Sequence, residues 1–242
     1  MKRIVGLLMT AAILVAPASS MASQPSVIGI GDVPGCAAGT SSPVPWLRVY
    51  DAQVLRVLVN QPHFGRYHQC IAQAEAAGAR LELVIQYCNN WSLAQDRAWF
   101  KRVLEAYSPA RFVAVGNEQE LVQCGREENG KQYATVWRAV KPLIRQYDPA
   151  AKLLAGEGSP WSIPYLTQAL QSGLPGAQAL AVHPYHMAHG APIAQFLALA
   201  NRYRLPLWAD EGLAGPYACP GGKVNFTRAE VRGAAMAAAW LK

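Results

Sequence analysis

Seven short apolar runs, each followed by a loop or a segment with helical spacing, leave this chain few folds to choose from. The runs are Val27–Asp32, Val54–Asn60, Leu81–Tyr87, Phe112–Val115, Lys152–Ala155, Ala179–His183 and Pro206–Asp210. Between and after them lie helical patterns over Tyr67–Gly78, Ser92–Tyr107, Gln132–Tyr147, Ile163–Gln171, Pro192–Tyr203 and Thr227–Leu241. Ser92 is a natural N-cap, Gly78 and Gly173 are stop signals, and a Pro/Gly-rich loop runs through Pro45. Strands that alternate with helices at this spacing pair in parallel through right-handed crossovers. Seven such units with no change of composition favour a (β/α) barrel over a doubly wound sheet. An eight-fold barrel needs one more strand after Thr227–Leu241, and none is visible before Lys242. The eighth strand is therefore missing, the chain is truncated, or one strand has been miscounted. The competing fold is a dinucleotide-binding sheet, suggested by Gly29-Ile30-Gly31-Asp32-Val33-Pro34-Gly35. Its glycine spacing is wrong, and Pro34 removes a backbone donor that a phosphate would need.

The first 22 residues are not part of that fold. A basic start at Lys2-Arg3, an apolar stretch from Ile4 to Val15 and a small-X-small site at Ser20-Met21-Ala22 describe a secretory signal peptide cleaved after Ala22. The expected mature domain is 23–242, exported to the periplasm or the medium, with no stable membrane insertion because no second apolar stretch reaches spanning length. Removing Lys2 and Arg3 lowers the formal charge from +7 to about +5. The remaining basic residues are scattered, without a nucleic-acid-binding signature. Five cysteines, Cys36, Cys70, Cys88, Cys124 and Cys219, show no metal-site spacing and allow up to two disulfides and one odd thiol. Cys88 and Cys124 follow consecutive strands and share a rim, so they form the first expected pair; Cys36–Cys70 is the second.

In a barrel the carboxyl ends of the strands form one rim, where the chemistry sits. Here that rim carries Asp32, Asn60-Gln61, Tyr87 to Trp91, Asn117-Glu118, Glu157 to Trp161, His183 to His186 and Asp210-Glu211. No Gly-X-Ser-X-Gly elbow occurs, which removes that route to a serine nucleophile. His183 and His186 lie three apart on a strand end rather than a helix, so their spacing alone is a weak metal signal. Glu118 and Glu211 stand out. Each closes an apolar strand, and strands four and seven face each other across a barrel mouth. Two converging carboxylates are what glycoside hydrolysis requires, one to protonate the leaving oxygen and one to attack the anomeric carbon or activate water.

Several motifs resemble those of clan A glycoside hydrolases, the retaining (β/α)8-barrel glycosidases. Gly116-Asn117-Glu118 resembles the strand-four Asn-Glu motif, and Trp208-Ala209-Asp210-Glu211-Gly212 the motif that closes strand seven. His183-Pro184-Tyr185 resembles the strand-six His-X-Tyr pattern, and Arg56 the strand-two arginine. The resemblance covers nearly the whole mature chain in strand order. It implies that Glu118 is the acid/base and Glu211 the nucleophile. It implies further that Asn117 bonds the sugar 2-hydroxyl, that Tyr185 and Arg56 steady Glu211, and that His183 lines the site. No cofactor and no metal are implied. Two residues depart from the pattern. Gln119 replaces the usual proline, which would loosen the turn after the acid. Asp210 replaces threonine or serine and would either point away from Glu211 or raise its pKa.

Trp91 and Trp161 are expected sugar-stacking platforms on the rim, with Tyr165 and Tyr217 as weaker ones. Glu120 and Glu157 read as rim acids displaced from the strand ends, and Trp46, Trp99, Trp137 and Trp240 as packing residues. The leading reading is a monomeric exported hydrolase of a polysaccharide, either a β-glucan or a bacterial exopolysaccharide. The alternatives are a polysaccharide-binding barrel that has lost catalysis, and a metal-dependent hydrolase built on His183 and His186.

Overall fold

A computed structural model describes residues 29–31, 33, 35–183 and 193–209. In chain order these form β1 (Gly29–Ile30), α1 (Val44–Val49), β2 (Val54–Val59), α2 (His68–Ala76), β3 (Arg80–Ile85), α3 (Leu93–Tyr107), β4 (Phe112–Val115), α4 (Gly130–Tyr147), β5 (Lys152–Gly158), α5 (Ile163–Gln171), β6 (Ala179–Val182), α6 (Ile193–Arg202) and β7 (Leu207–Ala209). The strands make one sheet in the order β1 to β7, every neighbouring pair parallel.

Side-chain contacts show that this sheet is rolled. The ring of Phe112 on β4 lies 4.7 Å from that of Trp208 on β7. Trp208 Nε1 also donates to both carboxyl oxygens of Glu82 on β3, at 3.2 and 3.1 Å. In a flat sheet β3 and β7 would stand about 19 Å apart, at roughly 4.8 Å per strand. The fold is a (β/α) barrel of the eight-fold type, seven of whose strands lie in the described residues. Thr227–Leu241, and any eighth strand, lie outside them.

Strand alternation sorts the residues into two layers. Val54, Val84, Phe112, Ala114, Leu154, Ala179 and Ala181 point into the barrel, with Leu58 and Trp208 against them. The opposite faces, with Leu55, Leu83, Val113, Leu153 and Leu180, pack against the helices in the larger outer core. Three inward positions are polar instead, all buried: Arg56 between Val54 and Leu58 on β2, Glu82 before Val84 on β3, and His183 just past β6. Burying about 2 kcal/mol worth of hydrocarbon per large side chain across both layers is what supports this polar tier.

Local signals explain most boundaries. Ser92 accepts from the Gln95 amide while Gln95 Oε1 accepts from Ser92 N–H, a capping box that starts α3 as expected. A second box, Asn129 with Gln132, starts α4 at Gly130, two residues before the expected Gln132. Gly130 is where α4 meets α5: a Cβ there would collide with Tyr165 O and the Ala169 amide. Helix α1 lies in the segment read as a loop, because Pro43 and Pro45 sit at positions where proline starts a helix rather than breaking one. β1 is described at Gly29–Ile30, and Val27, Ile28 and Asp32 of the expected strand lie outside the described residues. Both expected disulfides form, Cys88–Cys124 and Cys36–Cys70, and Cys219 lies outside the described residues.

Candidate active site

Strand β4 ends in a turn that aims Glu118 over the barrel mouth. Gly116 takes φ +82°, and Glu118 itself φ 48°, a left-handed conformation that costs a non-glycine residue on the order of 1 kcal/mol or more. The turn is fixed from beneath by Gln119, which is fully buried. Its side chain accepts from the Asn117 amide at 3.2 Å and donates to Tyr87 O at 3.2 Å and to Asn89 Oδ1. The expectation that Gln119 loosens this turn is therefore reversed, because its carboxamide ties β4 to the loop after β3. The Cys88–Cys124 disulfide joins the same two loops.

Strand β5 supplies the residue that the sequence reading misplaced. It runs to Gly158 rather than Ala155, and its register with β6 shifts between Gly156 and Gly158. One extra residue in this bulge, Glu157 at φ 47°, is thereby turned inward, where simple alternation would have pointed it at the helices. Tyr133 of α4 holds the opening: its hydroxyl accepts from Gly156 N–H at 2.9 Å and donates to Val115 O at 3.0 Å. The Glu118 amide donates to Glu157 O at 2.7 Å, so the two unusual glutamates brace one another. Glu157 is not a rim acid but is fully buried.

The polar tier is one connected network. Arg56 Nη2 donates to Asn117 Oδ1 at 2.9 Å and to Glu157 Oε2 at 3.1 Å. His183 Nε2 lies 3.2 Å from Glu157 Oε2, and His183 Nδ1 lies 3.0 Å from Glu118 Oε1. Arg56, Glu157 and His183 are closed to solvent, whereas the Glu118 side chain is 17% exposed. The Asn117 amide nitrogen makes no hydrogen bond among the described residues. Below the network, burial first and then the charge of Glu157 push the Glu82 carboxyl up to about 8, so it is neutral at pH 7. A cavity of about 360 Å³ opens on Arg56, lined also by Val33, Leu58, His63, Arg66 and Tyr67.

The remaining expected site residues divide. Trp161 stands 74% exposed beyond β5, whereas Trp91 is half-buried with its ring 6.2 Å from that of Trp99. Tyr165 is not a rim platform; it is buried on α5, edge-on to Tyr133. Glu120 does bridge the rim, accepting from Ser159 N–H at 2.6 Å. Trp99 and Trp137 are core residues, while Trp46 is more than a third exposed and stacks on Tyr50. Glu211, Tyr185, Asp210, His186, Asp32, Tyr217 and Trp240 lie outside the described residues. What could have located Glu157 is the pattern Gly156-Glu157-Gly158, since glycines on both sides of a strand-end acid mark a bulge.

No protein-family model matches the chain, and no curated protein sequence matches it. Solved structures do. An exo-β-1,4-mannosidase from Opitutaceae bacterium strain TAV5 is 15% identical with a TM-score of 0.62, over 89% of this chain and 50% of the mannosidase. The GH53 catalytic domain of Ignisphaera aggregans is 15% identical (TM-score 0.56), over 79% of this chain and 66% of that one. A β-glucanase from Saccharophagus degradans is 12% identical (TM-score 0.54), over 88% and 76%. This chain thus spans about half the length of the mannosidase. The shared fold is that of the clan A glycoside hydrolases.

Proposed function

We propose that this chain is a retaining glycoside hydrolase that cleaves β-glycosidic bonds in a polysaccharide, with Glu118 as acid/base and Glu211 as nucleophile. The observation that carries the reading is the setting of Glu118. It is a strand-four carboxylate held at the barrel mouth by a strained turn, backed by a buried histidine and open to solvent on its other side. Arg56 fixes the Asn117 carbonyl oxygen and leaves its amide nitrogen for a sugar hydroxyl, a contact that tightens as an oxocarbenium-like state develops. Exposed Trp161 offers an apolar face for stacking a sugar ring. His183 completes the wall, while Tyr185 and Arg56 would steady Glu211.

In the first step Glu118 gives its proton to the glycosidic oxygen as Glu211 bonds to the anomeric carbon. In the second, Glu118 takes a proton from water, and that water displaces Glu211. No cofactor enters either step. Two disulfides fit an oxidising compartment, and no helix among the described residues is long and apolar enough to cross a membrane. The disulfides support export, and the proposed mature form is a monomeric 23–242 domain released by cleavage after Ala22.

The test is a polysaccharide panel, β-glucans and bacterial exopolysaccharides included, with products followed by anomeric NMR. The β-anomer is expected first, and Glu118→Gln and Glu211→Gln should each lower kcat by roughly 10²- to 10⁴-fold or more. An α-anomer appearing first overturns retention. Wild-type binding without turnover on every substrate overturns hydrolysis and leaves a polysaccharide-binding barrel.

A further inference from the structure

Glu157 has no part in the two-carboxylate scheme, yet it is the most deeply buried acid of the network and occupies a backbone conformation built for it. The two contacts of His183 constrain the protons. A ring nitrogen can face a carboxyl oxygen at 3.0 or 3.2 Å only if a hydrogen lies between them. Glu118, His183 and Glu157 therefore share two hydrogens across two contacts. The set then carries one negative charge, whether as an imidazolium between two carboxylates or as a neutral imidazole with one carboxylic acid. Arg56, 3.1 Å from the same Glu157 oxygen, supplies the compensating charge. Three of these four groups are sealed from water, and among the described residues His183 is the side chain that links Glu157 to Glu118.

We infer that Glu157 is a positioning residue that sets the protonation of Glu118 through His183. This rests on the reading of Glu118 as acid/base. With Glu118 protonated on the oxygen away from the ring, His183 Nδ1–H donates to Oε1, and the second hydrogen lies between Nε2 and Glu157. When Glu118 gives its proton to the leaving oxygen, the second hydrogen moves from Glu157 Oε2 onto Nε2. An imidazolium then faces the new carboxylate. When Glu118 regains a proton from water, the hydrogen returns to Glu157, so no proton is gained or lost by the relay. Among the described residues, the other charged or titratable groups against it are Arg56 on β2, Glu82 on β3 and Tyr133 on α4, with Glu211 expected from strand seven.

Histidine-¹⁵N NMR of the full chain tests this independently of hydrolysis, with the His183 signal assigned by its loss in His183→Asn. Replacing the Glu157 carboxyl by an amide in Glu157→Gln removes the anion that pairs with the His183 imidazolium and should lower the His183 midpoint by about one pH unit or more. An unchanged midpoint overturns the relay. In the wild-type chain, which needs no variant to fold, the Glu157 carboxyl ¹³C and His183 Nε2 should shift at a common midpoint. Separate midpoints also overturn it. On a substrate found by the panel, Glu157→Gln should move the alkaline limb of kcat/KM alkaline-ward by about one unit, with KM little changed, because the ionised Glu118 then lacks the imidazolium that stabilises it. Superimposable pH profiles that differ only in height indicate a purely structural role. Absence of wild-type turnover fails the hydrolase reading alone, since the NMR midpoints still decide the relay.

Discussion

Gln119 and Gly116 are fitted to one another at the foot of Glu118. A Cβ on Gly116 would lie 2.6 Å from Gln119 Cγ, and its φ of +82° would strain any other residue. With that space open, the Gln119 carboxamide reaches three partners at once. Truncation in Gln119→Ala strands the buried Asn117 amide and Tyr87 carbonyl, and should cost about 2–4 kcal/mol in a denaturant melt. It should also lower kcat more than it raises KM, because the misplaced group is the acid and not a binding contact. Glu118 itself was legible from the sequence, since an apolar strand ending in Gly-Asn-Glu leaves one place for the carboxylate. Two of the three partners of Gln119 were not, because Tyr87 and Asn89 come from a loop about 30 residues earlier that only the barrel brings near. Glu157 was missed for a different reason. A bulge reverses the inward and outward assignment of every residue after it, and period-two reasoning has no term for the extra residue.

At the scale of elements, α4 does more than cover the sheet. Tyr133 occupies the gap where β4 and β5 part, satisfying one strand's carbonyl and the other's amide with a single hydroxyl. Tyr133→Phe keeps the ring packing but leaves Gly156 N–H and Val115 O buried and unmet, so a loss of about 2–4 kcal/mol is expected on chemical denaturation. Because the bulge aims Glu157, the same variant should disturb the His183 NMR signal, which a remote core defect would leave in place. The Cys88–Cys124 bridge, 36 residues apart in sequence, constrains the other side of the Glu118 turn. Its removal in Cys88→Ser/Cys124→Ser should lower stability by about 3–4 kcal/mol, measured by thermal unfolding. Elements with a clean local signature were read residue for residue: the all-apolar run Phe112–Val115, and Ile163–Gln171 between a turn and a glycine. Helix α1 was lost because its start signal, proline, is also a loop signal, and one turn of apolar spacing could not outweigh it.

For the whole molecule, rolling the sheet around a polar tier fixes how stability responds to pH. The curl brings Glu82, which the β2–β3 register pairs with Arg56, beside Trp208, while the loop after β4 brings Glu128 under Tyr87, whose hydroxyl donates to it at 2.6 Å. Burial is the main cause that lifts Glu82 to about 8, Glu128 to about 7 and Asp96 of α3 to about 6. All three rise above their ordinary values of 4.5, 4.5 and 3.8, so the folded chain keeps protons that the unfolded chain has released. Where the folded state binds more protons, the free energy of unfolding falls as pH rises. The stabilisation is complete below about pH 4 and is lost progressively up to about pH 8, as each acid must ionise in place. Thermal melts of the folded domain should therefore show a Tm at pH 8.5 at least about 5 °C below that at pH 5.5, since 1 kcal/mol moves Tm by roughly 2–4 °C at this length. Glu128→Gln keeps an acceptor for the Tyr87 hydroxyl and cannot ionise, so it should flatten the segment of the curve between about pH 4.5 and 7. A Tm that rises across that range, in the wild type or the variant, would mean that the buried acids are ionised and paired in the folded chain.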